Sequence, residues 1–164
     1  MIEVIDNLID SKSLLNLQEQ ISSKYFPWFF DNKKILDSKN NFNFHFVHTI
    51  IKDKKSVSPI HQFVQPIFDK LSYKTILRAK INMVTKTQKL IKYDLHKDNH
   101  SEDVKIAIFY VNSNNGYTFF DNGKKIESIE NRLIKFDDNI LHSGTNCTDE
   151  NNRIIININY KWMI

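Results

Sequence analysis

The strongest constraint on the fold is a succession of short alternating segments between residues 75 and 160. From Thr75 to Thr85, Leu77, Ala79, Ile81 and Met83 fall on one side of an extended chain, with Arg78, Lys80, Asn82 and Val84 on the other. Side chains alternate across a strand, so one wholly apolar face must meet a core layer and the polar face must meet water or a wet cavity. Val104 to Asn112 reads as a buried strand, Tyr117 to Asp121 as the next, and Ile126 to Ile129 and Arg132 to Phe136 as two more. Arg153 opens a last strand that reaches Tyr160. Turn signals separate them: Asn114-Asn-Gly116, where glycine is expected to supply a positive φ, and Asn122-Gly123, a two-residue hairpin signal. Short strands at this spacing predict a jelly roll rather than a parallel sheet.

The preceding residues mix elements. Met1 to Asn7 reads as a short strand, and Asp10 or Ser11 can cap a helix with Leu14, Leu17 and Ile21 on one face. Pro27-Trp28-Phe29-Phe30 is an aromatic cluster expected in the core. Asn41 to Ile50 alternates, with Phe42, Phe44, Phe46 and His48 opposite Asn43, His45 and Val47. His45 and His48 therefore cannot readily share a metal, and are expected to be structural or surface residues. Ser58-Pro59 should open a second helix. Ile60, Phe63, Val64, Ile67, Phe68 and Leu71 form its apolar stripe, and Pro66 should kink or restart it. His61 is expected on the helix surface and His100 in a hydrophilic loop.

A chain of 164 residues, 41% hydrophobic and 26% charged, can bury a full core and is read as one domain without wholesale disorder. A lone cysteine, Cys147, excludes an internal disulfide and fits a reducing cytoplasm. There is no long apolar run of the kind a signal peptide or membrane span needs. The net charge of +4 would permit nucleic-acid binding, but the lysines form no tight cluster, so a solvated surface is the expectation.

The chemistry concentrates in His96-Lys97-Asp98. On a strand, residues two apart project from one face, so this His and Asp can grip a single metal ion. His142, at the end of an apolar-rich strand and before a Ser-Gly turn, is the candidate third ligand. Two imidazoles and one carboxylate on one face of an octahedron leave the opposite face for substrates and oxygen, the arrangement of non-haem Fe(II) oxygenases. Arg153 could hold a carboxylate in two-pronged fashion. With Arg153 inward, Ile155, Asn157 and Asn159 share its face, and Ile154, Ile156, Ile158 and Tyr160 form an outward apolar row.

The order His-x-Asp, distal His, then Arg resembles the Fe(II)- and 2-oxoglutarate-dependent dioxygenases, most closely their prolyl 4-hydroxylase-like branch. Tyr93 matches that branch's Tyr-x-x-His-x-Asp pattern, Ile106 to Asn112 resembles its strand ending in Tyr-x-Asn, and Gly116 to Phe120 resembles its Gly-x-x-x-Phe. The match covers roughly residues 76 to 162. The resemblance implies a mostly β double-stranded β-helix with buttressing helices, with residues 1–75 as support and 76–162 as the catalytic jelly roll of one domain, 1–164. It also implies Fe(II) on His96, Asp98 and His142, and 2-oxoglutarate with its C5 carboxylate on Arg153 and Tyr110. Asn82 is a further candidate for the cosubstrate site if the polar face of its strand looks inward. The implied reaction uses O2 to decarboxylate 2-oxoglutarate and hydroxylate a substrate: a prolyl residue, or else a small molecule or nucleobase. Ile155 departs from the family, many of whose members carry Ser there. The competing readings are a facial-triad oxygenase without 2-oxoglutarate and a jelly-roll binding module without catalysis.

Overall fold

The computed structural model describes residues 1–32, 44–98 and 103–163. Phe42, Asn43 and His100 lie outside them. The elements run β1 (Glu3–Ile5), α1 (Ser11–Ser22), β2 (Phe29–Asp31), β3 (His45–Lys52), β4 (Lys55–Ser56), α2 (His61–Phe68) and β5 (Tyr73–Thr85). There follow β6 (Val104–Tyr110), β7 (Tyr117–Phe120), β8 (Lys125–Glu127), β9 (Arg132–Asp137), β10 (His142–Gly144) and β11 (Asn152–Trp162). The large antiparallel sheet has the order β1-β9-β6-β11-β5-β3-β2, with β4 on β3, and the small one the order β10-β7-β8. This is the jelly roll that the strand spacing predicts.

Alternation on β11 and β6 decides what each face buries. Ile154, Ile156, Ile158 and Tyr160, with Ala107 and Phe109, join Leu17 and Ile21 of α1 and Val64, Ile67 and Phe68 of α2 in the larger core. The helices thus cover the outer face of the large sheet. Ile106, Ile108 and Tyr110 point the other way, against Phe120, Ile126, Ile134 and Phe136, and tie the two sheets together. Each such side chain contributes roughly 1.5–3 kcal/mol when fully buried.

Asp10 caps α1, its carboxylate accepting the Ser13 N–H at 3.0 Å. The second helix starts later than Ser58-Pro59 predicts. The Ser58 hydroxyl is held by His48 Nε2 at 2.6 Å and accepts the Ile60 N–H at 3.3 Å, so it closes a turn instead of capping α2. Pro66 does not restart the helix, which runs through it to Phe68. Both β3 histidines are buried, and the Nδ1–H of His48 donates to the Pro27 carbonyl at 2.9 Å, a structural role.

Three expectations are corrected. Phe29 and Phe30 are 60% and 64% exposed, because β2 ends the large sheet beyond β3; Phe26 and Trp28 are the aromatics that reach the core. Leu77 does not share a face with Ala79 and Ile81. Asn159 pairs with Arg78 and Tyr160 with Ile76, so Leu77 is the extra residue of a bulge that turns it inward and sends Ile76 to the helices. The Asn122-Gly123 hairpin has three loop residues, not two. Phe120 accepts the Gly123 N–H and donates to the Lys124 carbonyl, both at 3.0 Å, with Gly123 at φ 82°. No helix among the described residues is long and apolar enough to cross a membrane.

Candidate metal and cosubstrate site

The segment carrying His96 runs beside β10, and His96 and His142 exchange both backbone hydrogen bonds, at 3.0 and 3.1 Å. Directly opposed residues put their side chains on one face, and the two ring centroids are 4.8 Å apart. Asp98 follows two residues on, with Oδ1 3.9 Å from His96 Nε2. The donor atoms of His96, Asp98 and His142 all lie within 4.8 Å of one another. His142 Nδ1 is 3.1 Å from the Ile140 carbonyl and His96 Nδ1 3.3 Å from that of Asp94. A carbonyl can only accept, so each Nδ1 carries the hydrogen, and Nε2 is the nitrogen whose lone pair the neutral form of each ring would offer a metal. Phe136 flanks His142 with its centroid at 4.7 Å.

Asp98 is held from behind. Its Oδ2 accepts from Asn159 Nδ2 at 3.0 Å and lies 3.7 Å from Arg78 Nη2, while Arg78 Nε donates to Asn159 Oδ1 at 3.3 Å. Burial alone would raise the Asp98 pKa, but the charge of His142 when its ring is protonated, the Arg78 charge and the Asn159 hydrogen bond together hold it below the ordinary carboxylate value. Two neutral imidazoles and an ionised carboxylate are a fitting donor set for a ferrous ion with open positions. Neighbouring ligands on bonds of about 2.1 Å lie about 3 Å apart, within reach of small side-chain rotations from the spacing here.

Arg153 projects from the inner face of β11 and is 2% exposed. Its Nε donates to Ser128 Oγ at 2.7 Å and its Nη2 to Thr118 Oγ1 at 3.1 Å, and its guanidinium lies 5.6 Å from the Tyr110 ring centroid. Tyr110 Oη donates to the same Thr118 hydroxyl at 2.8 Å. Among the described residues no carboxylate pairs with Arg153. Burial lowers its pKa, though a guanidinium stays charged at any ordinary pH. Burial also raises the Tyr110 pKa, so the phenol stays protonated and able to donate.

Two glycines make room for this side chain. A Cβ on Gly116 would sit 2.5 Å from the Asn146 carbonyl oxygen and 2.7 Å from Arg153 Cδ, and one on Gly144 would sit 3.1 Å from Arg153 Nη1. Gly116 does not take the expected positive φ; close approach is what demands it. Asn82 lies on β5 opposite Ile155, and its Oδ1 is buried with no hydrogen-bond partner among the described residues, as are Asn157 Oδ1 and Ser143 Oγ. The polar face of β5 therefore looks inward, although no hydrogen bond joins Asn82 to Arg153, Tyr110 or the histidines among the described residues. Thr118, Ser128 and the Asn159–Asp98–Arg78 link escaped the sequence reading. Asn159 was visible as an inward residue, but its partners depend on register.

No family model matches the chain, and no curated protein matches its sequence. Solved structures do match its fold. A prolyl hydroxylase from Trichoplax adhaerens, in complex with a hypoxia inducible factor oxygen degradation domain peptide fragment, aligns with TM-score 0.67 at 14% identity, over 98% of this chain and 83% of that one. A Pseudomonas putida prolyl-4-hydroxylase gives 0.62 at 10% identity, over 99% and 93%. A 2OG-Fe(II) oxygenase family oxidoreductase from Burkholderia pseudomallei gives 0.66 at 12%, over 98% and 85%. The chain thus has the double-stranded β-helix fold of the 2-oxoglutarate and Fe(II) oxygenases, prolyl hydroxylases among them.

Proposed function

We propose that this chain is an Fe(II)- and 2-oxoglutarate-dependent oxygenase, a single domain in which residues 76–162 carry catalysis and 1–75 buttress it. One observation carries the reading: Arg153 is a buried cation supported by hydroxyls, with no anion beside it among the described residues. An uncompensated buried charge costs several kcal/mol, and a ligand carboxylate would offset that cost. His96, Asp98 and His142 would hold Fe(II), which together with 2-oxoglutarate supplies the oxygen-activating redox chemistry.

The chain's own residues bind and orient. Arg153 takes the C5 carboxylate, Ser128 and Thr118 fix the plane of its guanidinium, and Gly116 and Gly144 leave its approach clear. The Tyr110 hydroxyl can rotate from Thr118 to donate to the same carboxylate. Asn82 offers a further polar group on the inner face of β5. Asn159 and Arg78 hold Asp98 Oδ2, which leaves Oδ1 on the side of His96. The overall reaction would convert 2-oxoglutarate and O2 to succinate and CO2 while hydroxylating a substrate. A peptidyl proline is the first candidate, since the structural neighbours include prolyl hydroxylases, one in complex with a peptide. Buried, unpaired Cys147 accords with a reducing compartment such as the cytoplasm.

The test is anaerobic titration with Fe(II) and 2-oxoglutarate, followed by a succinate assay on admitting oxygen with proline-containing peptides. Wild type should bind one iron and release succinate, and His96→Ala/Asp98→Ala should do neither. Equal iron in both proteins refutes the metal assignment.

A further inference from the structure

We propose that the cleft walled by Lys52, Arg78 and Lys80 is where the substrate docks, and that this substrate carries an anionic carboxylate or phosphate group. This rests on the oxygenase reading and adds the substrate's charge to it. The cleft is open, of about 450 Å³, and its walls include Lys52, Lys54, Arg78 and Lys80 against a single acid, Asp53. That volume suits a small molecule or one or two side chains of a larger one.

The fold builds this concentration of charge. β3 and β5 are neighbours, with Thr49 opposite Lys80. The turn after β3 places Asp53 and Lys54 at φ 49° and 67°, and brings the Lys54 N–H onto the Leu77 carbonyl at 3.1 Å, so Lys54 returns over the strand that carries Arg78 and Lys80. The lysines there have no direct ion-pair partner among the described residues. Lys105, Lys135 and Arg132 each have a carboxylate partner, whereas Lys52, Lys54 and Lys80 have none among the described residues. Burial first, and then the Arg78 charge, pull the Lys80 pKa below its ordinary value, and the more distant charges of Asp31 and Asp98 only partly oppose them. Cations on a concave wall focus the local potential and raise the concentration of anions there.

Position adds the rest. Arg78 forms part of the cleft wall and its guanidinium also lies 3.7 Å from Asp98 Oδ2, so one side chain links the cleft to a proposed metal ligand. An anion seated on Lys52 and Lys80 would let the rest of its carrier extend past Arg78 toward that ligand. This site is separate from Arg153, whose hydrogen-bond partners are Thr118 on β7 and Ser128 just after β8.

The experiment uses the full chain loaded with Mn(II) and 2-oxoglutarate, titrated by calorimetry with tri-glutamate, glycyl-phosphoseryl-glycine and triglycine. Tri-glutamate or the phosphoserine peptide should bind and triglycine should not, and the one that binds more tightly identifies carboxylate or phosphate. Lys52→Gln/Lys80→Gln should weaken that probe by about ten-fold or more and leave 2-oxoglutarate affinity unchanged. The remote pair Lys12→Gln/Lys24→Gln should change neither. Mn(II) should broaden the probe's proton resonances, and Zn(II) should not. The proposal is overturned if neither anion binds more tightly than triglycine, or if the remote pair weakens binding equally, which would show net charge alone at work. Arg153→Leu separates the two readings. Retained 2-oxoglutarate affinity in that variant counts against the oxygenase assignment, whatever the cleft does.

Discussion

Replacing Arg153 by leucine should have opposite effects on the empty and the loaded protein. In the unliganded fold the guanidinium donates to Ser128 and Thr118 and faces no carboxylate among the described residues. The leucine side chain would remove an unpaired buried charge, which is favourable, at the loss of the longer side chain's packing and of two hydrogen bonds worth roughly 1 kcal/mol each, one to Ser128 and one to a Thr118 hydroxyl that keeps Tyr110 as a donor. The terms nearly cancel, so the melting temperature without ligand should move by only a few degrees. Cosubstrate affinity should fall by about 2 to 5 kcal/mol, roughly 30- to 5,000-fold, the loss for one partner of a desolvated charge pair. Scanning calorimetry with Mn(II), with and without 2-oxoglutarate, reads both. At 100 times its Kd the ligand should stabilise wild type by about 2.7 kcal/mol, and at that same concentration the variant should show little shift. A variant that keeps its ligand shift, or that unfolds without ligand, would refute the view of Arg153 as a cation waiting for an anion.

Three further outcomes are expected. Tyr110→Phe keeps the buried ring and deletes the hydroxyl, so 2-oxoglutarate binding measured by calorimetry should weaken by about 1.5 to 3 kcal/mol with little change in melting; unchanged affinity would move Tyr110 out of the site. Gly116→Ala drives a methyl against the Asn146 carbonyl and Arg153 Cδ, and should cost about 1–3 kcal/mol in denaturant unfolding together with cosubstrate affinity. Burial raises the Tyr93 and Tyr160 pKa values to about 12, above the unfolded value of about 10, so their contribution is complete below pH 10 and is lost as pH rises through 12. Urea unfolding at pH 9 and pH 11 should show that loss in wild type and a shallower one in Tyr93→Phe/Tyr160→Phe.

What could be read in the sequence was whatever depends on parity within one uninterrupted strand. On β11 the inward row of Arg153, Ile155, Asn157 and Asn159 and the outward row of Ile154, Ile156, Ile158 and Tyr160 follow from alternation alone, and the structure keeps both. Parity fails where a strand gains a residue. Leu77 reads as one more member of an apolar face, and only the pairing of Asn159 and Tyr160 with Arg78 and Ile76 reveals the bulge. The His96 segment is no regular strand; what sets the two histidines side by side is a backbone bridge between residues far apart in the chain. Gly116 looks like a turn former because its true constraint, the flank of Arg153, comes from another element. Phe29 and Phe30 look like core because composition cannot tell an end strand from an inner one.

The place of β11 in the large sheet bears on how the protein is made. It pairs with β5 from Asn152 opposite Thr85 to Trp162 opposite Tyr73, and with β6 from Ile155 opposite Tyr110 to Lys161 opposite Val104. Of the described strands it is the last to be synthesised, yet it lies between two made much earlier. Until it arrives, β5 and β6 each carry an open edge of unpaired amides, the kind of surface that recruits wrong partners, and the long loops to be closed make folding slow. It also brings both Arg153 and Asn159. A nascent chain that already holds His96, Asp98 and His142 would still lack the anion anchor and the amide that steadies the carboxylate, so iron captured at that stage would have no cosubstrate to react with.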